Sequence, residues 1–454
     1  MTTDERIKRL QADYLVKGNH AVSDYFGLIR ELLRIRESDP AVQSHIDQVY
    51  RLVEDEIIGN QQAPVNEINF GTSGWRGILG KDVFLKSVRC VTEGIVDLYR
   101  MADTATDLHS HLGVASLAEA RERGCLVGWD NRFGGELLGR CVADTLIENG
   151  FKVYFCSETT TGVLSAALLE LRAAFSVNLT PSHNPLDYGG YKFNAADGGP
   201  AASELTSIIT RQSRERVNGR SAEDADQEQQ RGELVETDSF ALWQRLVDKN
   251  KEVHRIDYRS LMDQVAAHQD IDIVIDSVHG ASRLHVNRLL GPAAVKLEHL
   301  RGESDVTFGG IAPEPSSENM SRVTQRLRES KKKLKIGAII DPDADRIRFT
   351  DGDMEISMNQ FGAMSYHFLH TCKKLSGMVA KTVATSNLAN SVAAVLGEEL
   401  FETKVGFKEF KPVIGKALVC FEESDGISVI GHTPEKDAYI GLLLALDMVV
   451  TTGK

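Results

Sequence analysis

From Asn66 onward the chain alternates short apolar runs with amphipathic stretches, and this alternation narrows its fold more than any other feature. The runs are CLVGW (125–129), KVYFC (152–156), AAFSVNL (173–179), IDIVID (271–276) and LKIGAII (334–340); between them lie stretches of helical spacing such as 134–149 and 317–332. Short apolar runs bounded by turn residues fit buried strands, and strands alternating with helices build layered α/β folds. The expected fold is therefore α/β and multi-domain, with mixed parallel sheets sandwiched by helices. A chain of 454 residues is longer than one hydrophobic core usually serves, so several domains are expected.

The first sixty residues read differently. Val22, Tyr25, Phe26, Ile29, Leu32, Leu33 and Ile35 keep a helical spacing, Asp39-Pro40 breaks it, and a second helix fits about 41–58 before Gly59 and Pro64. This predicts a helical extension packed on the main body, with a homo-oligomer contact as its other use. Residues 211–237 are polar, charged and poor in apolar side chains, which suits a helix end and a linker. The expected division is a helical extension at 1–64 and α/β domains at 65–238, 239–353 and 354–454.

A net charge of −13 and a pI near 5.5 argue against nucleic acid or an anionic membrane as partner, while leaving room for a local basic pocket around a phosphorylated small molecule. No apolar run is long enough to span a membrane. The opening MTTDERIKRLQADYL is unlike a signal peptide. Six scattered cysteines without a C-x-x-C pair suggest reduced thiols in a cytoplasmic protein.

Four segments carry possible chemistry. In IIDPDADRIRF (339–349), Asp341, Asp343 and Asp345 are spaced by two, and Pro342 disfavours a helix. In an extended segment that spacing puts three carboxylates on one side, a donor set suited to Mg²⁺, with a solvated acidic turn as the alternative. An EF-hand is excluded, because Arg346 stands at its glycine position and Gly352 at its bidentate glutamate position. NFGTSGWRG (69–77) offers Gly71, Gly74 and Gly77 for close backbone approach to an anion, with Arg76 beside them; in isolation an ordinary glycine-rich turn is the better reading of this stretch. In NLTPSHNPLDYGGYKF (178–193), Pro181 and Pro185 stiffen a loop around Ser182 at the C-terminal end of a predicted strand, where open α/β sheets place their chemistry. Ser182 lacks the G-x-S-x-G setting of an esterase, and a neighbouring histidine does not make a triad. It suits instead a phosphoryl carrier beside a cation, with Lys192 as a proton-transfer group if a nearby cation lowers its pKa. The other reading is a stiffened loop held by local turn hydrogen bonds. In CFEESDGISVIGH (420–432), Glu422 and Ser424 can share a face, with an ordinary polar turn as the alternative, and TKVGFKEF (403–410) adds Lys404 and Lys408, which on the plainer reading are solvated lysines.

Together and in this order, these segments resemble the α-D-phosphohexomutases, which include phosphoglucomutases, phosphomannomutases and phosphoglucosamine mutases. The resemblance covers about residues 66–454. FGTSGWRG is similar to the family's N-terminal loop, TPSHNP with Lys192 to its phosphoserine loop, DPDADR to its Mg²⁺ loop, FEESDGIS to its sugar-specificity loop and VGFK to that loop's partner. The resemblance implies that Ser182 is phosphorylated in the active enzyme. Asp341, Asp343 and Asp345 would bind Mg²⁺, with a phosphoserine oxygen of Ser182 as a further ligand. Lys192 would be the general acid/base and His183 its support. Arg76 and Arg346 would hold phosphate or sugar groups, Glu422 and Ser424 sugar hydroxyls, and Lys408 with Lys404 would assist substrate binding. The implied reaction moves phosphate between the 1- and 6-positions of a hexose phosphate through a bisphosphorylated sugar, glucose 1,6-bisphosphate for a glucose substrate. The string TPSHNP…GGYKFNAADGGPA looks more like bacterial phosphoglucomutases, with phosphomannomutase as the alternative. Asp425 departs from the more usual FEESGGIS. The family's fourth domain carries an R-x-S-G-T type loop, which these 454 residues lack. The expectation is a piece of a longer protein or a three-domain variant, and the rival function is a non-catalytic scaffold that binds sugar phosphates or a partner.

Overall fold

The computed structural model describes residues 2–71, 74–219 and 231–454. Of the polar segment 211–237, residues 220–230 lie outside them, as do Thr72 and Ser73 of the glycine-rich loop. Three sheets follow one another along the chain. The first holds β1 (Trp75–Ile78), β2 (Cys125–Trp129), β3 (Val153–Glu158), β4 (Phe175–Leu179), β5 (Tyr188–Ala195) and β6 (Leu234–Glu236), in the order β1-β5-β4-β2-β3-β6. The second holds β7 (Ile271–Asp276), β8 (Leu297–Leu300), β9 (Leu334–Ile340), β10 (Ile347–Thr350) and β11 (Glu355–Ile356), in the order β11-β10-β9-β7-β8. The third holds β12 (Val379–Thr382), β13 (Leu400–Thr403), β14 (Val419–Glu422) and β15 (Gly426–Val429), in the order β13-β12-β14-β15.

Each sheet has a parallel body and an antiparallel margin. β4, β2, β3 and β6 run parallel, whereas β5 and β1 are antiparallel to their neighbours. In the second sheet β10 and β11 form the antiparallel margin, and in the third β15 does. This mixture matches the expected fold class. The five apolar runs became β2, β3, β4, β7 and β9. All five are interior strands with both faces covered, so apolar residues are needed on both.

The N-terminal helices, Thr3–Tyr14, Tyr25–Arg36 and Gln43–Gly59, share one continuous core with the first sheet, through Leu28, Ile29, Leu32, Ile46, Val53 and Ile57. Their ends are set locally. Thr2 and Glu5 form a capping box, and Asp24 accepts the Gly27 N–H. Val22 does not join the apolar face: it sits in a short 3₁₀ turn before the Asp24 cap and is 60% exposed. Pro40 likewise opens a 3₁₀ turn, Pro40–Val42, so the following helix begins at Gln43.

The second and third sheets share another core, which includes Ile273, Ile340, Phe361 and Phe421 and is plugged by the helix Ala438–Thr452. None of the described helices is long and apolar enough to cross a membrane. All six cysteines are unpaired.

Candidate active site

Three loops meet where parallel strands end. β4 stops at Leu179 and delivers Ser182, β9 stops at Ile340 and delivers Asp341, and β14 stops at Glu422. This is the edge at which open α/β sheets bind ligands.

The serine loop is held on all sides. Ser182 has φ 58°, in the left-handed region, and is 1% exposed. Its N–H donates to Thr180 Oγ1 at 2.8 Å, and Thr180 in turn donates to Asp130 Oδ2 at 2.6 Å. Arg132 gathers the loop's carbonyls: Nη1 donates to Pro185 O at 2.5 Å, and Nη2 to Ser182 O at 2.6 Å and to Asn184 O. Its guanidinium lies over the Phe308 ring, 4.5 Å from the centroid. Gly190 on β5 permits this packing, because a Cβ there would come within 2.3 Å of Thr180 O. From the N-terminal helices, Arg30 pairs with Asp187 of the same loop at 2.6 Å. Ser182 Oγ donates to Asp341 Oδ2 at 3.0 Å. His183 turns towards it after all, with Nδ1 3.4 Å from Oγ. Burial, then Arg346 and Arg76, push His183 down to about 4, so its imidazole is neutral.

The aspartates converge, but not by the extended geometry that a spacing of two suggests. Residues 342–345 form a turn with Ala344 at φ 52°, and the Arg346 N–H closes it onto Asp341 Oδ1 at 3.0 Å. A turn concentrates the three carboxylates, whereas an extended segment would space them along its edge. One oxygen from each lies within 4.8 Å of the others, and all three residues are buried. Thr161 donates to Asp343 Oδ2 at 2.6 Å. Lys192 Nζ, on β5, lies 2.5 Å from Asp343 Oδ2 and 3.0 Å from Asp345 Oδ2, and Lys436 Nζ lies 3.1 Å from Asp345 Oδ2.

Burial and its two neighbours push the Asp341 carboxyl well up. Burial also opposes ionisation of Asp343 and Asp345, but Lys192 brings both below the usual range. Lys192 itself is not lowered as a cationic neighbour would lower it. Burial acts in that direction, but Asp343, Asp345 and Glu435 outweigh it and hold the ammonium charged. Asp343 Oδ1 and Asp345 Oδ1 are buried without a hydrogen-bond partner. Three hard oxygen donors, two with unspent lone pairs, could hold a metal ion of the Mg²⁺ kind.

Beside the cluster opens a cavity of about 270 Å³, lined in part by Lys192, Arg346, Lys408, Glu422, Ser424 and Lys436. Glu422 is buried and accepts the Gly406 N–H at 3.0 Å; burial raises its pKa. Lys408 Nζ donates to Ser203 Oγ at 2.8 Å, which draws the third sheet's loop onto the first domain. Lys404 is exposed and lies outside the cavity wall. Arg76, on β1, feels Asp345, Asp343 and Asp341, and its buried Nε has no partner. Gly71 and Gly74 line the cavity and bridge each other across the glycine-rich loop. The structure therefore brings together every predicted site residue except Lys404. It adds Thr161, Lys436, Glu435 and the Asp130–Arg132 pair, which sequence reasoning missed. Burial raises Glu435 to about 6. The segments of these added residues, HTPEKDA (432–438) and GWDNRF (128–133) among them, carry no repeated spacing of ligand residues.

The chain is similar to known proteins along most of its length. Family models of phosphoglucomutase/phosphomannomutase match the chain in three consecutive stretches: α/β/α domain I at 67–219, domain II at 253–354 and domain III at 357–454. A phosphoglucomutase of Komagataeibacter xylinus is 26% identical over 451 residues, covering 90% of this chain and 74% of its own. A phosphoglucosamine/phosphogalactosamine mutase of Sulfurisphaera tokodaii is 23% identical over 394 residues, covering 84% and 77%. The crystal structure of a putative phosphomannomutase from Thermus thermophilus superposes with a TM-score of 0.68 at 26% identity, covering 86% of this chain and 81% of that one.

Proposed function

The chain belongs to the phosphoglucomutase/phosphomannomutase family of phosphohexomutases, and from that premise we propose that it interconverts glucose 1-phosphate and glucose 6-phosphate through a phosphoserine at Ser182. One observation carries the reading: the Ser182 hydroxyl, buried on a rigid loop, bonds to a carboxylate of the aspartate cluster.

In this mechanism phosphorylated Ser182 donates its phosphoryl group to the free hydroxyl of the bound hexose phosphate. The P–Oγ bond breaks, a P–O(sugar) bond forms, and glucose 1,6-bisphosphate results. After the sugar reorients, its other phosphate returns to Ser182, so atoms and charge balance over the cycle. Asp341, Asp343 and Asp345 would hold a Mg²⁺ ion, which would supply charge neutralisation for the transferred group. Lys192, kept protonated by its carboxylate partners, gives a proton to Ser182 Oγ as the P–Oγ bond breaks and regains one from the attacking sugar hydroxyl, so the proton count closes. Neutral His183 can take the Ser182 hydroxyl proton. Arg76 and Arg346 bring positive charge to the phosphates, and Lys408 adds to it. Glu422 and Ser424 face the sugar hydroxyls. The rigid serine loop supports a reaction that depends on positioning more than on covalent chemistry.

The test is a coupled assay of glucose 1-phosphate conversion with Mg²⁺ and catalytic glucose 1,6-bisphosphate, run beside mannose 1-phosphate. Turnover that Ser182→Ala reduces to background supports the proposal. Preference for the mannose substrate would make the chain a phosphomannomutase. Absence of turnover on both sugars would refute the mechanism and favour a binding scaffold.

A further inference from the structure

The hairpin that bears Glu422 and Ser424 ends on a residue in an unfavourable conformation. β14 and β15 pair with Glu422 opposite Gly426, so Glu423, Ser424 and Asp425 close the turn. A three-residue hairpin turn typically finishes in the left-handed region, where glycine is favoured. Here that residue is Asp425, at φ 73° and 4% exposed. Its own contacts hold it there. Arg348 grips the carboxylate as a fork, Nη2 to Oδ2 at 2.8 Å and Nε to Oδ1 at 3.3 Å. The Ile347 N–H donates to the Asp425 carbonyl at 2.9 Å. Ile347 and Arg348 open β10, the strand that leaves the aspartate loop directly after Arg346. The turn carrying Glu422 and Ser424 is thus tied to the strand that carries the aspartate loop.

We propose that Asp425 and Arg348 form a latch that determines sugar specificity: they are positioning residues that hold Glu422 and Ser424 in register with the aspartate loop. This rests on the reading of Glu422 and Ser424 as sugar contacts. Neither latch residue touches reacting atoms. Glycine at 425 would adopt the turn freely and leave it tied only through the backbone. Aspartate accepts a less favourable backbone and gains a two-point, charge-assisted bond across the interface between the second and third sheets.

The test compares Asp425→Gly, Arg348→Met, Arg348→Lys and the Asp425→Gly/Arg348→Met double variant with the wild type, using glucose 1-phosphate and mannose 1-phosphate. Asp425→Gly keeps a residue at home in the left-handed region, so the fold persists. KM for the preferred sugar rises about tenfold while kcat moves little, because displaced binding groups cost orientation. The ratio of kcat/KM between the two sugars falls. Arg348→Met does the same, the double variant is no worse than either single one, and Arg348→Lys recovers part of the loss. A merely structural role would lower the melting temperature without changing the sugar ratio. Wild-type KM and wild-type sugar ratio in Asp425→Gly would overturn the latch alone. A wild-type protein that turns over neither sugar would overturn the proposed function, and the latch's part in sugar reading with it.

Discussion

Replacing Lys192 with methionine tests how the carboxylate cluster is balanced. The Lys192 ammonium, 9% exposed as a side chain, pairs with Asp343 at 2.5 Å and Asp345 at 3.0 Å, and those carboxylates are 0% and 3% exposed. Removing one partner of a buried ion pair strands the other and costs about 3–5 kcal/mol. Metal binding responds in the opposite sense. A unit charge about 4 Å from another interacts by roughly 4 kcal/mol at an effective dielectric of 20, and a divalent ion doubles this. Couplings measured between neighbouring groups are smaller, about 0.5–3 kcal/mol, so about 1.4 kcal/mol is a central value, equal to a tenfold gain in Mg²⁺ affinity. The assay is thermal unfolding by circular dichroism, first in EDTA and then across a Mg²⁺ titration. In EDTA, Lys192→Met melts below the wild type. The gap narrows as Mg²⁺ rises, because ligand stabilisation grows with the logarithm of concentration over Kd. The midpoint of the Mg²⁺ response shifts about tenfold lower. A gap that ignores Mg²⁺, or a variant more stable than wild type in EDTA, would refute the reasoning.

Arg132→Met takes the fork from the carbonyls of Ser182, Asn184 and Pro185; Ser182 is buried, whereas Pro185 is exposed and keeps the Tyr188 N–H as donor, so at about 1–3 kcal/mol for an unsatisfied buried group urea denaturation should show a loss of about that size, and Arg132→Lys should recover only part because it lacks the fork. Glu422→Gln keeps the shape of a buried side chain and removes a charged acceptor; KM for the hexose phosphate should rise about 10- to 100-fold with a smaller change in kcat, as steady-state kinetics will read. His285 stacks on Phe240 and is pushed down to about 4, by burial first and then by Arg288. Unfolded, it titrates near about 6.5, so the unfolded state takes the proton first and stability falls as pH drops below about 6.5 towards 4. Between pH 7.5 and 5, urea unfolding should show the wild type losing about 2 kcal/mol more than His285→Gln.

The parts of the fold legible in the sequence were those whose chemistry is local. The five predicted runs are interior parallel strands, apolar because both of their faces are covered. β5 (YGGYKFNA) escaped notice because it mixes glycines that let the Ser182 loop approach with a lysine committed to the site. β12 (VAKT) and β14 (VCFE) likewise carry buried Lys381 and Glu422 inward, which breaks the apolar signature. Ser182 and the three aspartates could be named because each follows a strand, and Glu422 because it ends one, each in a short segment of unusual composition. Their meeting could not be read in this way. Ser182 bonds to Asp341 across 159 positions, Lys192 to Asp343 across 151 and Asn194 to Glu435 across 241, and no local periodicity encodes such distances. The packing of the sheets brought in Thr161, Lys436 and Arg132, left Lys404 outside, turned the aspartate loop instead of extending it, and kept Lys192 charged. The sequence by itself determined which groups stand at the ends of strands, because burial on both faces selects apolar residues there and turn residues just beyond. Only the tertiary structure decided which of those groups share one low-dielectric space, and that sharing sets their charge states.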